Sequence, residues 1–504
     1  MRSAALAAAV AVLAGALAGA VGCGRREAAV PAAGGEPRAG GTAVVAFPSE
    51  PDVMNSLLAE SAFTGQVLSL VQDTLLEMDE DLGWQPRIAS DWSFGSDSLS
   101  VTFRLRPWVW EDGAPLTARD VSSSFALFTS PAVASPRRGG FADVAAVTVL
   151  DDRTVRYDLR RRLADPLFAA WHAILPAHLT DALDPAAVRA WPLNQRPLAS
   201  GPFRLESWAR NQALVLVRNE RYPGSPARLD RLVFRIIPDE TARLVELETG
   251  AVDVVDELPL EAAARLERGG AVTVHRVRGR LVGHLQWNLR HPLFEDRRVR
   301  RALSLAIDRA AFVEGLLGGY AQPAASPIPP ALWAHDAALA PDPFDPARAR
   351  ALLAEAGWRD TDGDGVLDRH GRRFSFTVVT RKGDPVRENG VVVIRENLRA
   401  VGVEVRPRVL EFGAALSEVR QGKFDAYLGV YQARLSVDPS ALLRSTAVDR
   451  FNYGGYASAT VDSLLDAGLA CPDRAVAAGI WRRLQAAVAA DAPCAFLYYP
   501  ETLV

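Results

Sequence analysis

Lysine is almost missing from this chain. Lys382 and Lys423 are its two lysines in 504 residues, so nearly all positive charge is arginine. With a net charge of −3 and the arginines scattered among Asp and Glu, no basic face is offered to nucleic acid. Cysteine is nearly as scarce: Cys23, Cys471 and Cys494 include no pair at zinc spacing. Between the last two, Asp473 to Ala490 reads as one helix with Val476, Ile480, Leu484 and Val488 on a stripe. About 18 residues at 1.5 Å rise hold the thiols about 27 Å apart, whereas a disulfide needs Cα atoms within about 7 Å. Both are therefore expected as free thiols serving as small buried residues. G-x-S-x-G, G-x-x-x-x-G-K-[ST] and H-E-x-x-H are all lacking, which removes the common nucleophile, phosphate-loop and zinc-hydrolase readings. Seven histidines are scattered, and His172 and His178 straddle Pro176, which argues against a shared metal.

What is present is ordinary for a globular protein: 49% hydrophobic and 23% charged residues, in a length that predicts two or three compact units. Arg2, an Ala/Leu/Val run from Ala4 to Val21 and then Gly22-Cys23 read as a secretory signal, too Ala-rich for a good membrane anchor. The ending Ala20-Val21-Gly22-Cys23 resembles a lipobox, so Cys23 is expected to carry diacylglycerol; cleavage after Ala18-Gly19-Ala20 is the alternative. Residues 24–41, rich in Gly, Pro and Ala, read as a flexible tether.

Beyond the tether, strand-like and helix-like segments alternate, the mark of α/β lobes. Thr42–Phe47 begins the fold as a strand, and Phe63–Met78 has apolar residues at helical spacing. Val101–Leu105 alternates as a strand, Thr117 caps a helix carrying Val121, Phe125 and Phe128, and Asp165–Ala177 is helix-like. Leu281–Trp287 alternates with the period of a half-buried strand. After Asp296, Val299, Leu303, Ala306, Ile307, Ala310, Val313 and Leu317 predict one amphipathic helix stopped by Gly318-Gly319. Further on, Asp345–Ala356, Gly390–Ala400 and Phe412–Arg420 read as helices, with strands at Phe374–Thr380, Val403–Val409 and Phe424–Val430.

Several of these segments carry a pattern. Trp287-Asn288 followed by Pro292 to Arg309 resembles an aromatic-Asn segment and a "P-F-x-D-x-R-V-R-x-A-L-x-x-A-I-D-R" helix. Leu82 to Phe128 is similar to "P-x-L-A-x-x-W", "T-F-x-L-R" and "D-G-x-P-x-T-A-x-D-V". Ala199–Leu205 is similar to "G-T-G-P-Y-x-L", with Ser200 for threonine, and Asn452–Tyr456 with Val461–Leu465 to "N-Y-x-G-Y…V-D-x-L-L". From about Val44 to its end the chain resembles the extracellular solute-binding proteins of family 5, which serve peptide and nickel ABC importers. The resemblance implies a periplasmic-binding-protein type II-like α/β fold of two lobes with mixed sheets, plus a subdomain in the first lobe. On it, lobe I is expected at 42–80, 195–280 and 491–504, its subdomain at 81–194 and lobe II at 281–490. Arg280–Asn288 and Ala490–Leu497 are expected as the hinge. Family members usually run a few tens of residues further, so lobe I is expected to be truncated at its C-terminus.

The same resemblance directs the search for a ligand site. In peptide-binding members an aspartate three residues after an aromatic, shortly before "D-P", binds the peptide ammonium; the landmarks here are Asp425, Tyr431 and Asp438-Pro439. That aspartate's place falls on Arg434, or on Leu435 counting back from Asp438. An arginine there repels an ammonium and favours a carboxylate or phosphate, which its fixed fork pairs bidentately. Tyr431, Gln432 and Trp287 are cleft candidates by position, with Ser49, Glu50 and Asn55 of the first loop facing them. Separately, Asp360, Asp362, Asp364 and Asp368 stand at positions 1, 3, 5 and 9 of a calcium-type loop with glycine at 6, but the twelfth position is Gly371; a solvated Asp/Gly turn is the simpler account. No catalytic residue and no cofactor is expected, apart from that optional structural calcium.

The expected function is a lipid-anchored, extracytoplasmic, monomeric receptor that closes two lobes on an oligopeptide-like or other small organic solute and hands it to ABC permease subunits. A sensor or holder of the same fold is the alternative, separable by whether neighbouring genes encode permease and ATPase subunits. A secreted hydrolase, which peptide cleavage products would reveal, is the third.

Overall fold

The computed structural model describes residues 39–448 and 450–504. The chain divides into two compact units, one running to His275 and regaining Leu503–Val504, the other Arg276–Thr502. Among the described residues no helix is long and apolar enough to cross a membrane. The expected signal segment and Cys23 lie outside the described residues.

In the first unit a five-stranded sheet has the order Phe203–Ala209, Ala213–Arg218, Arg231–Ile236, Thr42–Phe47, Val254–Val255. Thr42–Phe47 runs parallel to both of its neighbours. Its inward residues Val45 and Phe47 join Met54, Val67, Leu214, Leu216 and Phe234 in one core. A four-stranded antiparallel sheet, Ala89–Phe94, Ser100–Leu105, Thr154–Leu159 and Val144–Asp151, closes a second core with Phe103, Trp108, Trp110 and Tyr157. The helix Ala118–Thr129 covers it, started by the expected Thr117 through a capping box with Asp120.

The second unit holds a seven-stranded mixed sheet. Leu281–Trp287 lies inside it, antiparallel to Ala426–Gln432 on one side and to Cys494–Leu503 on the other, and Ser375–Arg381 runs parallel to Ala426–Gln432 and Glu404–Leu410. The half-buried alternation expected for Leu281–Trp287 is therefore overturned: every residue from Val282 to Trp287 is buried, because both faces of an inner strand are covered. Gln286 tolerates this by donating its amide to the Phe451 carbonyl at 3.0 Å. The two crossings of the chain between units fall at His275–Arg276 and Thr502–Leu503. Arg280–Asn288 and Ala490–Leu497, the segments expected to bend, supply two paired inner strands instead.

Three helical expectations are also corrected. The helix expected over Phe63–Met78 stops at Val71, and Leu76–Met78 pairs as a strand, since Leu75 and Leu76 are drawn into the core of the four-stranded sheet. Asp165–Ala177 forms only a 3-10 turn, Pro166–Ala170, before a short helix at Ala177–Thr180; Pro176, which lacks an N–H and turns Leu175 away from helical backbone, keeps the two apart. The single helix expected after Asp296 is two, Arg297–Leu305 and Arg309–Leu317. Asp308 breaks it by capping the second, its carboxylate accepting from the Ala311 N–H at 2.9 Å. Cys471 and Cys494 are free as expected, but only Cys494 is buried.

The signature residues turn out to be joinery. Arg300 of "R-V-R" gives its guanidinium to the carbonyls of Asp491, Ala492, Phe294 and Glu295, binding the C-terminal end of the helix Arg474–Asp491. Arg309 of "I-D-R" is 5% exposed and donates to the Phe496 carbonyl at 2.6 Å, the Ser304 carbonyl at 2.9 Å and the Ser304 hydroxyl at 2.7 Å. Asn288 ties its strand to the Phe424 carbonyl at 2.8 Å, and the Asp425 carboxylate accepts from the Thr377 N–H at 2.8 Å. In the "N-Y-x-G-Y" loop a Cβ on Gly454 would stand 2.1 Å from the Trp287 carbonyl oxygen, so only glycine lets this loop lie on the strand. Gly201 is likewise fixed by backbone, its Cβ position being 2.7 Å from the Leu70 carbonyl oxygen.

Candidate functional site

In open α/β sheets ligands are held at the carboxyl ends of the strands, where loops leave the sheet and helices begin. Each unit has such an edge.

In the first unit the parallel trio Thr42–Phe47, Arg231–Ile236 and Val254–Val255 ends in Ser49-Glu50, Asp239 and Asp256-Glu257. Ser49 is exposed. Glu50 is already engaged: its carboxylate accepts from the Trp208 indole N–H at 3.0 Å and the Asn211 N–H at 3.2 Å, with Arg210 at 3.7 Å. Arg210 in turn lies 3.5 Å above the Trp208 ring, so Glu50 holds the tip of the Phe203–Arg218 hairpin. Asn55 is 3% exposed and bonds Asn194 at 2.7 Å and the Leu57 N–H at 3.0 Å, an internal brace.

In the second unit Ser375–Arg381, Glu404–Leu410 and Ala426–Gln432 end on one edge. Arg381 and Arg387 there converge on one carboxylate, Asp384, at 3.4 and 2.6 Å. Asp384 is placed by its own backbone role: it caps the helix Pro385–Arg399, accepting from the Arg387 N–H at 3.1 Å. Although its burial works the other way, bonds from Arg387 hold its carboxyl below the usual carboxylate range. The Arg381 Nε–H is buried without a hydrogen-bond partner, its guanidinium stands 5.8 Å over the Phe412 ring, and Phe412 is 57% exposed. Two guanidinium groups thus stand beside an exposed aromatic ring, with Asp384 as their shared carboxylate and Glu388 accepting from the Gly383 N–H at 2.7 Å in the same loop.

The sequence-predicted residues of this unit divide. Tyr431 is buried, its hydroxyl donating to the Asp438 carbonyl at 3.2 Å, and burial raises its pKa. Gln432 is exposed at the strand end and its backbone pairs with Leu281. Arg434 is exposed and 3.6 Å from the Asp438 carboxylate. Trp287 is fully buried, stacked on Phe294 at 5.3 Å and edge-on to Phe376 at 6.3 Å; it sits in the core, five or more residues along the strand from that edge. Arg381, Asp384, Arg387 and Phe412 were not foreseen. The one signal for them was Asp384-Pro385, a helix start placed directly after a strand.

The aspartate loop is a turn on the surface. Asp360, Asp362 and Asp364 each bring a carboxylate oxygen within 4.8 Å of the others, all exposed. Asp364 pairs with Arg373, Asp360 accepts from the Gly363 and Gly365 N–H groups, and Asp368 turns to the Thr361 hydroxyl at 2.6 Å.

Two α/β units joined by two crossings of the chain, with polar side chains at the carboxyl edges of their sheets, define a solute-binding protein of the periplasmic-binding-protein type II class. The description "Bacterial extracellular solute-binding proteins, family 5 Middle" matches residues 83–452, and the chain belongs to that family. Among its relatives the oligopeptide-binding protein AppA of Bacillus subtilis is 28% identical over 93% of this chain and 88% of its own length. The solved structure of that protein, in complex with a nonapeptide, is 27% identical, covers 93% and 94% of the two chains and has a TM-score of 0.68. The glutathione-binding protein GsiB of Salmonella typhimurium is 26% identical over 88% of this chain and 84% of its own. HbpA2 of Haemophilus parasuis, 21% identical with a TM-score of 0.80 over 92% and 95% of the chains, shares the fold.

Proposed function

We propose that this chain is the substrate-binding lipoprotein of an ABC importer, a monomer anchored outside the cytoplasm through lipid on Cys23. It captures an oligopeptide-like or other small organic solute, closes two lobes on it and delivers it to membrane permease subunits, making and breaking no bond. Closure proceeds as far as the solute's preference for the closed over the open form carries it. Two acyl chains, each contributing about 0.8 kcal/mol per buried CH₂, suffice to anchor it. Electrospray mass measurement of the mature protein tests the anchor: a diacylglyceryl-modified N-terminal Cys23 is expected, and an unmodified N-terminus following Ala20 overturns it.

One observation carries the ligand reading in a chain of this family: the gathering of arginines at the carboxyl edge of the second unit's sheet. Arg381 and Arg387 over Asp384, with Arg434 further along, suit a solute bearing a carboxylate or other anionic end, and exposed Phe412 suits an apolar neighbour on the same molecule. Native mass spectrometry of protein purified without refolding is expected to show an anionic cargo. With that cargo, Arg381→Ala should weaken binding about 10-fold or more, as expected for a lost charge-assisted hydrogen bond worth about 1.5–3 kcal/mol. Arg434→Ala should weaken it less, because Asp438 and solvent already screen that side chain. If Arg434→Ala leaves affinity unchanged the residue plays no part, and if both variants do, the edge is not the anion site.

A further inference from the structure

Within five residues, Val71 to Leu76, the chain of the first unit leaves one core and enters another. Val71 packs under the five-stranded sheet, and Leu75 and Leu76 pack with the four-stranded one. Asp73 stands in the seam, 4% exposed. Its N–H donates to the Ser200 hydroxyl at 2.9 Å and its carbonyl accepts from the Ile174 N–H at 3.2 Å, so the backbone alone joins three segments.

The carboxylate joins more. Oδ1 accepts from Arg87 Nε at 3.0 Å, and Arg87 Nη1 reaches Glu77 at 2.8 Å. The same guanidinium lies 5.6 Å over the ring of Tyr222, which stands beside the carboxyl group. Tyr222 packs edge-on against Trp108 at 5.5 Å, and the Trp108 indole donates to the Ser200 carbonyl at 2.9 Å, closing the circuit on the residue that holds the Asp73 N–H. Asp73 Oδ2 and the Tyr222 hydroxyl are buried with no well-formed hydrogen bond, yet they lie close enough for the phenol O–H to favour the ionised carboxylate. Arg87, Glu77 and Tyr222 are the charged and titratable groups that act on Asp73. With both carboxylates ionised against one guanidinium, the cluster carries one net negative charge, and burial disfavours it at Asp73, since Glu77 is half exposed.

We propose that Asp73 is a proton-binding latch through which the first unit couples the seam between its two sheets to the acidity of the medium. One proton from solvent binds the carboxyl group, the cluster becomes neutral, the phenol of Tyr222 loses its ionised acceptor, and Arg87 keeps Glu77 as its charged partner. Burial pushes the Asp73 carboxyl up to about 6 against the opposing pull of Arg87. A carboxyl whose folded pKa lies above its unfolded value stabilises the fold while protonated. That contribution is complete below the unfolded carboxyl pKa of about 3.9 and is lost as pH rises through the folded value. The latch is therefore shut in acid and released toward neutrality.

The full chain with carboxyl-13C aspartate tests this whatever its ligand. One aspartate resonance is expected to titrate with its midpoint near 6, to vanish in Asp73→Asn and to move in Tyr222→Phe. In parallel, the melting temperature of the wild type relative to Asp73→Asn should fall as pH is raised between about 4 and 7. A difference that stays constant across that range, or no aspartate titrating above the ordinary carboxyl range, overturns the proposal. Should Asp73→Asn fail to fold, the wild-type titration and its response to Tyr222→Phe decide it.

Discussion

Replacing Trp287 by alanine is expected to destabilise the second unit by about 3–5 kcal/mol, the cost of deleting a fully buried large aromatic side chain. The indole is completely inaccessible, stacked on Phe294 and edge-on to Phe376, so removing it unsupports two further rings. Trp287→Phe should cost less than the alanine change, because part of the ring face is retained and the cavity left is smaller. That substitution also removes an indole N–H that is buried without a hydrogen-bond partner. Thermal or urea unfolding of the two variants checks the pair. If the alanine variant melts like the wild type and loses only ligand affinity, Trp287 belongs to the ligand site and not to the core.

A comparable loss, about 3–5 kcal/mol, is expected for Arg309→Ala. The guanidinium satisfies the Phe496 and Ser304 carbonyls and the Ser304 hydroxyl in a place water does not reach. The Ser304 carbonyl keeps the Ile307 N–H at 3.3 Å, so the loss comes chiefly from the other buried acceptors, each costing about 1–3 kcal/mol when left without a partner, and from the emptied space. Burial, opposed by Asp342 and aided by the charge of Arg301, lowers the arginine's pKa to about 10, which still leaves it protonated at neutral pH. Arg309→Lys should recover part of the stability, since a single ammonium replaces a fork that bonds several acceptors at once. Because two units unfold, the measurement must resolve two transitions, and the one that shifts should be that of Arg276–Thr502. A variant as stable as the wild type would show that these carbonyls find water once the side chain is gone.

The family and its α/β class were legible in the chain because they are written in contiguous words. Thr117 with Asp120, Asp296 with Arg297–Leu305, and Asp345 with Pro346–Glu355 are local signals, caps and periods that need no distant partner. The same patterns misled wherever a distant contact overruled them. Leu75 and Met78 continue the helical spacing, yet the helix has ended and Leu76–Met78 lies in a strand, because the core of the four-stranded sheet takes up Leu75 and Leu76. Leu281–Trp287 alternates like a half-buried strand yet is buried from Val282 onward, because Cys494–Leu503 pairs with it from more than two hundred residues away.

The site shows the same division. Position along the chain singled out Tyr431 and Arg434, which do lie at or just past a strand's carboxyl end, and equally Trp287, which does not. It passed over Arg381, Asp384, Arg387 and Phe412, which three parallel strands bring to that same edge. Asp73, Arg87, Glu77 and Tyr222 could not have been grouped from the chain at all, since their association depends on where two separate cores meet. Sequence by itself determined the class of fold, the helix starts and stops, and the signature arginines, because hydrogen-bonded caps and side-chain periods act over a few residues. Tertiary structure alone decided which strands are inner, which cysteine is buried and which arginines share an aspartate, because burial and charge pairing depend on neighbours in space that the order of residues does not name.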